Sequence, residues 1–261
     1  MAASPMNHRI TTIARYTLLE AMRTRLPQLA LAAIVLLVAA SFFVQQIAVT
    51  ESARMQAGTY GAGMRLACVF IAGLHVLASI IREFNDKVLD VALALDVPRG
   101  HYILGKLTGF LVFGALLAAA ASLPLAFLAT PEAALQWGLS LALELGIVIA
   151  LALFCIVTFN QLMPAAGFVL AFYLLARALT AIRLMSAHPL TGADAPSHQI
   201  IQLLVEGLAL VMPALDHWTR TAWLVNQHAP WPDIGALAGQ SALYIALLAA
   251  AAMFDFYRKN F

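Results

Sequence analysis

The chain has 261 residues, of which 62% are hydrophobic and only 11% charged, with a net charge of +2 and a mean hydropathy of +0.87. That balance excludes a water-soluble domain and a basic nucleic-acid binder, and it describes an integral membrane protein. Cys68 and Cys155 both fall within apolar runs, and no Cys/His spacing of a zinc site occurs, so neither a disulfide framework nor a structural metal is expected.

Taken in chain order, the first element is "MNHRITTIARYTLLEAMRTR", about 6–25. Ile10, Ile13, Thr17 and Leu18 share one helical face and Arg9, Arg15, Arg23 and Arg25 the others, the pattern of an amphipathic helix lying on a membrane surface. Pro27 breaks it where the chain turns into the bilayer. The first apolar run is too long for a signal peptide's apolar region and is expected to stay as an anchor.

Six apolar runs are long enough to span, at about 27–49, 61–81, 102–129, 135–158, 162–183 and 236–256. An all-α, six-span protein follows, with both termini on one side. Ten of the fifteen basic residues share that side, including Arg82, Lys87, Arg99, Lys106, Arg258 and Lys259, so it is read as cytoplasmic. The 187–233 stretch is read as an external segment whose helices lie against the membrane face or dip partly into it, with Trp218, Trp223 and Trp231 as an interfacial belt.

The connection "IIREFNDKVLDVALALDVPRGHYILGK", 80–106, carries the most information. As a helix it places Phe84, Val88, Val91 and Leu95 in an apolar stripe opposite Glu83, Asp86, Lys87 and Asp90, and Glu83 precedes Lys87 by four residues. Pro98 disfavours helical geometry at Val97 and ends it. Within it, "GHYILGKLTG" comes within one residue of the phosphate-binding G-x-x-x-x-G-K-[ST]. Leu107 stands where the Mg²⁺-ligating hydroxyl belongs, and an apolar span follows instead of the expected context. No ATP site is expected on this chain.

Arg82 and Glu83 at a span's end, an amphipathic stretch, Pro98 and Arg99, then Gly105 and Lys106 opening the next span resemble the cytoplasmic loop of type-2 ABC exporter permeases. "VMPALDHW", 211–218, resembles a Pro-x-Leu-Asp element of that family's external segment, on Pro213 and Asp216. The chain departs from the family in having Asn85, Asp86 and Lys87 where a Gly-Thr turn commonly follows the Arg-Glu pair. The resemblance implies a permease subunit in a bacterial inner membrane, paired with a second copy or a paralogue. It implies a separate cytoplasmic ATPase holding ATP and Mg²⁺, seated on a coupling helix near 82–101. Arg82, Glu83, Asp86, Lys87, Pro98, Arg99 and Lys106 would then contact that ATPase. A metal- or cofactor-related assembly transporter is the alternative, motivated by His188, His198, His217 and His228 with Asp194 and Asp216. An intramembrane enzyme would need a catalytic constellation such as H-E-x-x-H, and "HE" does not occur; a membrane scaffold is a third class.

Inside the spans, Glu144 and Arg177 stand at comparable depth. Either they pair, on a substrate path or as a latch between helices, or Glu144 is protonated while Arg177 snorkels outward; the sequence leans to the second. His75 reads as a packing residue, Arg65 and Arg183 as interface anchors, and Asp255 as a local partner of Arg258. Gly105, Gly109 and Gly114 would admit a close helix, with a dimer contact one use of that space.

Overall fold

The longest uninterrupted apolar stretch becomes the centre of the bundle. Helix α6 (Pro131–Phe159) is capped by the Thr130 hydroxyl, which accepts from the Ala133 amide at 3.3 Å, and Pro131 opens its first turn. It ends at Asn160 in the left-handed region, φ 54°. Every residue from Leu145 to Leu153 is buried, as expected of a helix that is apolar all round.

The computed structural model describes residues 5–47, 52–86, 98–187, 196–226 and 230–258. Among these there is no strand, and six helices are long and apolar enough to cross a membrane. Around α6 lie α1 (Pro5–Arg23), α2 (Leu26–Ile47), α3 (Ser52–Asn85), α4 (Arg99–Ser122), the short α5 (Leu125–Leu128) and α7 (Leu162–Ala187). Then come α8 (Pro196–Val211), a 3₁₀ turn (Leu215–His217), α9 (Thr221–Asn226) and α10 (Trp231–Arg258). The helices overrun the expected spans. The 34 residues of α3 reach about 51 Å, against a hydrocarbon core of about 30 Å, so its polar ends continue past the apolar stretch that defined the span. Arg82 and Glu83 therefore belong to the last turn of α3, and Arg99 and Lys106 to the first two turns of α4. Lys87, Val88, Asp90, Val91 and Leu95 lie outside the described residues, as do His188, Asp194, His228 and Lys259.

The expected lipid face of α1 packs instead on α4. A Cβ added at Gly105 would come within 2.7 Å of the Ile13 Cβ, and one at Gly109 within 2.7 Å of the Ala14 carbonyl oxygen. Thr17 is 2% exposed, whereas Tyr16, Leu19 and Met22 face outward. Gly114 in turn admits Ile149 of α6. The small-residue row thus serves contacts within the chain.

Between α7 and α10 the described residues form a bent helical pair, the hairpin. Two stretches, Ile200–Val211 and Leu215–Val225, are bent by 60° at their junction. The Trp231 indole donates to Glu132 at 2.9 Å, so α10 starts where α6 starts. Because α7 runs back from α6 through a tight turn, it ends at that same level. The hairpin therefore leaves and re-enters one end of the bundle, and its tip meets Glu144, thirteen residues or about 20 Å along α6. Trp218 and Trp223 are buried in this packing, 1% and 7% exposed, and are not belt residues; Trp231 is half exposed.

Candidate functional site

Two polar clusters stand out in the apolar bundle, one at the charged end and one midway along α6. At the charged end, the Glu83 carboxylate accepts from both the Tyr102 hydroxyl and the Lys106 ammonium. Lys106 is only 6% exposed and also lies 3.7 Å from Glu20 of α1, whose other oxygen accepts from Ser79 at 3.0 Å. A cation removed from water needs this pairing, and two carboxylates with a phenol provide it. Lys106 also lies over the Phe110 ring, 5.8 Å from its centre.

Two turns before Lys106, Arg99 donates to the carbonyls of Phe256 and Tyr257 at 3.3 and 3.4 Å, closing the C-terminus of α10 with a positive charge. The Tyr102 ring stacks on Phe256, and the Gly100 amide donates to the Tyr257 hydroxyl at 3.2 Å. The stretch "GHYILGKLTG" is accordingly continuous helix, and its lysine is committed to Glu83 and Glu20. Of the residues assigned to coupling, Arg82, Asp86 and Pro98 are exposed, whereas Glu83 and Lys106 are held inside. Asp255 bonds across to Thr158 at 2.6 Å rather than to Arg258, which lies over Phe254.

Midway along α6, Glu144 is fully buried and ringed by donors. Its Oε1 accepts from the Tyr173 hydroxyl at 3.0 Å and faces the Arg177 guanidinium at 3.4 Å, while Oε2 accepts from the Thr219 hydroxyl. The guanidinium turns inward, so the pairing alternative describes the structure and the snorkelling one does not. The reason lies in the hairpin tip: Arg177 also donates to the carbonyls of Leu215 and Trp218, at 2.7 and 3.0 Å, the Leu215 oxygen accepting from the Trp218 amide of the 3₁₀ turn as well. Thr219 adopts φ 48°, unusual for a β-branched residue, and this turns its amide onto Ser140 at 2.8 Å while its hydroxyl reaches Glu144. Arg65, expected as an anchor, donates to the Thr219 carbonyl at 3.2 Å, and the Trp218 indole donates to Ser241 at 2.8 Å. Asp216 accepts from Thr180 at 2.9 Å.

The sequence reading missed Glu20, Ser79, Tyr102, Ser140, Tyr173 and Thr219. A signal was present for four of them. Ser79 and Glu83, Tyr102 and Lys106, Ser140 and Glu144, Tyr173 and Arg177 are each four residues apart, one helical turn on one face.

His75 sits between Phe110 and Phe113, ring centres 5.5 and 5.1 Å away, and its Nε2 has no hydrogen-bond partner among the described residues. Among those residues no three His, Cys, Asp or Glu side chains converge. Two cavities flank the hairpin tip, about 330 Å³ between α7 and α8 and about 250 Å³ between the tip and α10. A third, about 340 Å³ and almost wholly apolar, lies between α3 and α7 with Tyr173 in its wall.

No protein-family model matches the chain, and no curated protein matches it.

Proposed function

We propose that this chain is the membrane-spanning permease subunit of an ATP-binding-cassette exporter of the type-2 class, driven by a separate cytoplasmic ATPase. The observation that supports this most is the way the charged end is built. The stretch between Asp86 and Pro98 is flanked by two helix ends, and each is fastened to other helices: α3 through Glu83 to α4, and α4 through Lys106 to Glu20 of α1 and through Arg99 to α10. A load applied to that stretch by a docked partner is thereby shared among four helices. In this reading the charged end faces the cytoplasm, because most basic residues gather there, and the hairpin faces outward. α1 lies along the inner surface, and two permeases, identical or paralogous, form the pathway in a bacterial inner membrane.

The hairpin tip then closes the outward end while Glu144, Arg177 and Arg65 hold it, and its release opens the path. Those bonds are polar and can be exchanged for water, whereas moving the tip also uncovers the buried Leu215, Trp218 and Trp223.

Affinity purification of the tagged chain from its native membrane, with identification of co-purifying chains and measurement of ATP turnover, tests the reading. A nucleotide-hydrolysing subunit in stoichiometric amount is the expected result. A pure permease chain, repeatedly recovered alone from gently solubilised membranes, would sink it.

A further inference from the structure

We propose that the cavity of about 330 Å³ between α7 and α8 binds the zwitterionic headgroup of a phospholipid, one carrying both a phosphate and a primary ammonium. The cavity is walled by Thr180 and Arg183 of α7, Gln202 and Glu206 of α8, and His217 of the hairpin tip. Gln202 and Glu206 are one turn apart on α8, so both point to the same side.

Arg183 and Glu206 are both exposed. Lys106 meets Glu20 and Glu83, and Arg177 meets Glu144, yet Arg183 and Glu206 border one cavity and form no ion pair with each other or with any described residue. Thr180 is already engaged by Asp216, and His217 stands 3.8 Å from the same carboxylate. What remains open to a ligand is one guanidinium, one carboxylate and one carboxamide. Guanidinium suits a phosphate, with its forked donors, and carboxylate suits an ammonium. A ligand carrying both groups satisfies each side of the cavity, whereas a simple anion leaves Glu206 facing like charge. At about 30 Å³ per water the space equals roughly eleven waters, room for a phosphoethanolamine group.

The lipid source follows from the outer face of α8. Ile200, Leu203, Leu204, Leu208 and Leu210 are 43–86% exposed beside the cavity, an apolar wall along which acyl chains can lie. The polar cavity and the apolar wall alongside it match the two halves of a phospholipid.

The test uses the full chain purified in a mild detergent, with lipid retention read by native mass spectrometry. The probes are phosphatidylethanolamine, phosphatidylglycerol and free phosphoethanolamine. Wild type is expected to retain phosphatidylethanolamine over phosphatidylglycerol. Arg183→Ala should weaken retention of both lipids, and Glu206→Gln that of phosphatidylethanolamine alone, each by about fivefold, the scale of one partly exposed ion pair. Arg220→Ala, at another arginine of the same end, should change neither. Helix content by circular dichroism checks that each variant is folded. Equal retention of the two lipids by wild type, unchanged retention in both variants, or an equal loss in Arg220→Ala would overturn the site. Free phosphoethanolamine competing as well as the intact lipid would overturn the lipid source.

Discussion

Glu144 and Thr219, 75 residues apart in the chain, meet side chain to side chain inside the bundle, and through them the hairpin is joined to its central helix. Thr219 holds both ends of the contact: its hydroxyl goes to Glu144 and its amide to Ser140 one turn earlier on α6. Thr219→Val keeps the shape and removes the hydroxyl. The loss of one donor to a buried carboxylate should cost about 1–3 kcal/mol, seen as a lower thermal midpoint of the purified chain. A midpoint unchanged within error would remove Thr219 from the fastening of the tip.

The Glu144 and Arg177 pair allows a sharper test, because the two halves are not equivalent. Arg177→Met strands a fully buried carboxylate and should cost about 3–5 kcal/mol. Glu144→Gln leaves Arg177 with the Leu215 and Trp218 carbonyls and should cost less. The double variant Glu144→Gln with Arg177→Met should be more stable than Arg177→Met alone, since coupled partners do not add. A double variant that loses the full sum of the two single effects would mean that the pair is not energetically coupled.

Seating of α1 on α4 depends on the close approach at Gly109, and Gly167 of α7 serves as the control. At Gly109 an added Cβ meets backbone, the Ala14 carbonyl oxygen at 2.7 Å, which cannot rotate away; at Gly167 nothing lies within 4 Å. Gly109→Ala should therefore lift α1 and expose it to protease in the purified protein. Gly167→Ala should be neutral or slightly stabilising, by up to about 1 kcal/mol, because alanine favours helix. Protection of α1 that survives Gly109→Ala would show that the close approach is not needed.

How far the sequence could be read follows from these contacts. The spans were legible because a bilayer demands long apolar runs, and one run is enough to see one span. Their ends were not, because helix continues past the apolar stretch wherever partners hold it, as Glu83 and Lys106 do for α3 and α4. The hairpin resisted reading for a related reason: Trp218 and Trp223 are interfacial by type, and only the folded packing, with Trp218 donating to Ser241, shows them buried. Glu144 and Arg177 were legible as anomalies, but their pairing depends on carbonyls of a turn 38 to 41 residues beyond Arg177.

Sidedness rests on the basic residues and can be checked directly. Both native cysteines are buried, so engineered ones report with little background. In intact cells a membrane-impermeant maleimide should label Ser197→Cys and leave Asn260→Cys unlabelled until the membrane is opened. The reverse pattern would invert the bundle and place the hairpin inside.

Coupling to an ATPase gives the last prediction, and the structure changes which residues can test it. Glu83→Ala would strand Lys106, 6% exposed, with Glu20 alone at 3.7 Å, so a loss of transport in that variant would report damage to the bundle. Arg99→Ala would likewise free the end of α10. Asp86 is exposed at the end of α3, beside the stretch a partner would grip, and its reversal to arginine leaves every described side-chain contact in place. Asp86→Arg should leave the thermal midpoint within about 0.5 kcal/mol of wild type, as exposed substitutions do, while weakening co-purification of the ATPase and slowing substrate-stimulated ATP turnover. Higher salt should narrow the difference, because charges at the rim of an interface are screened. Unchanged partner recovery and unchanged turnover in Asp86→Arg, with Glu83→Ala defective only in stability, would reduce this end of the molecule to a structural clamp and withdraw the main support for an ATP-driven exporter.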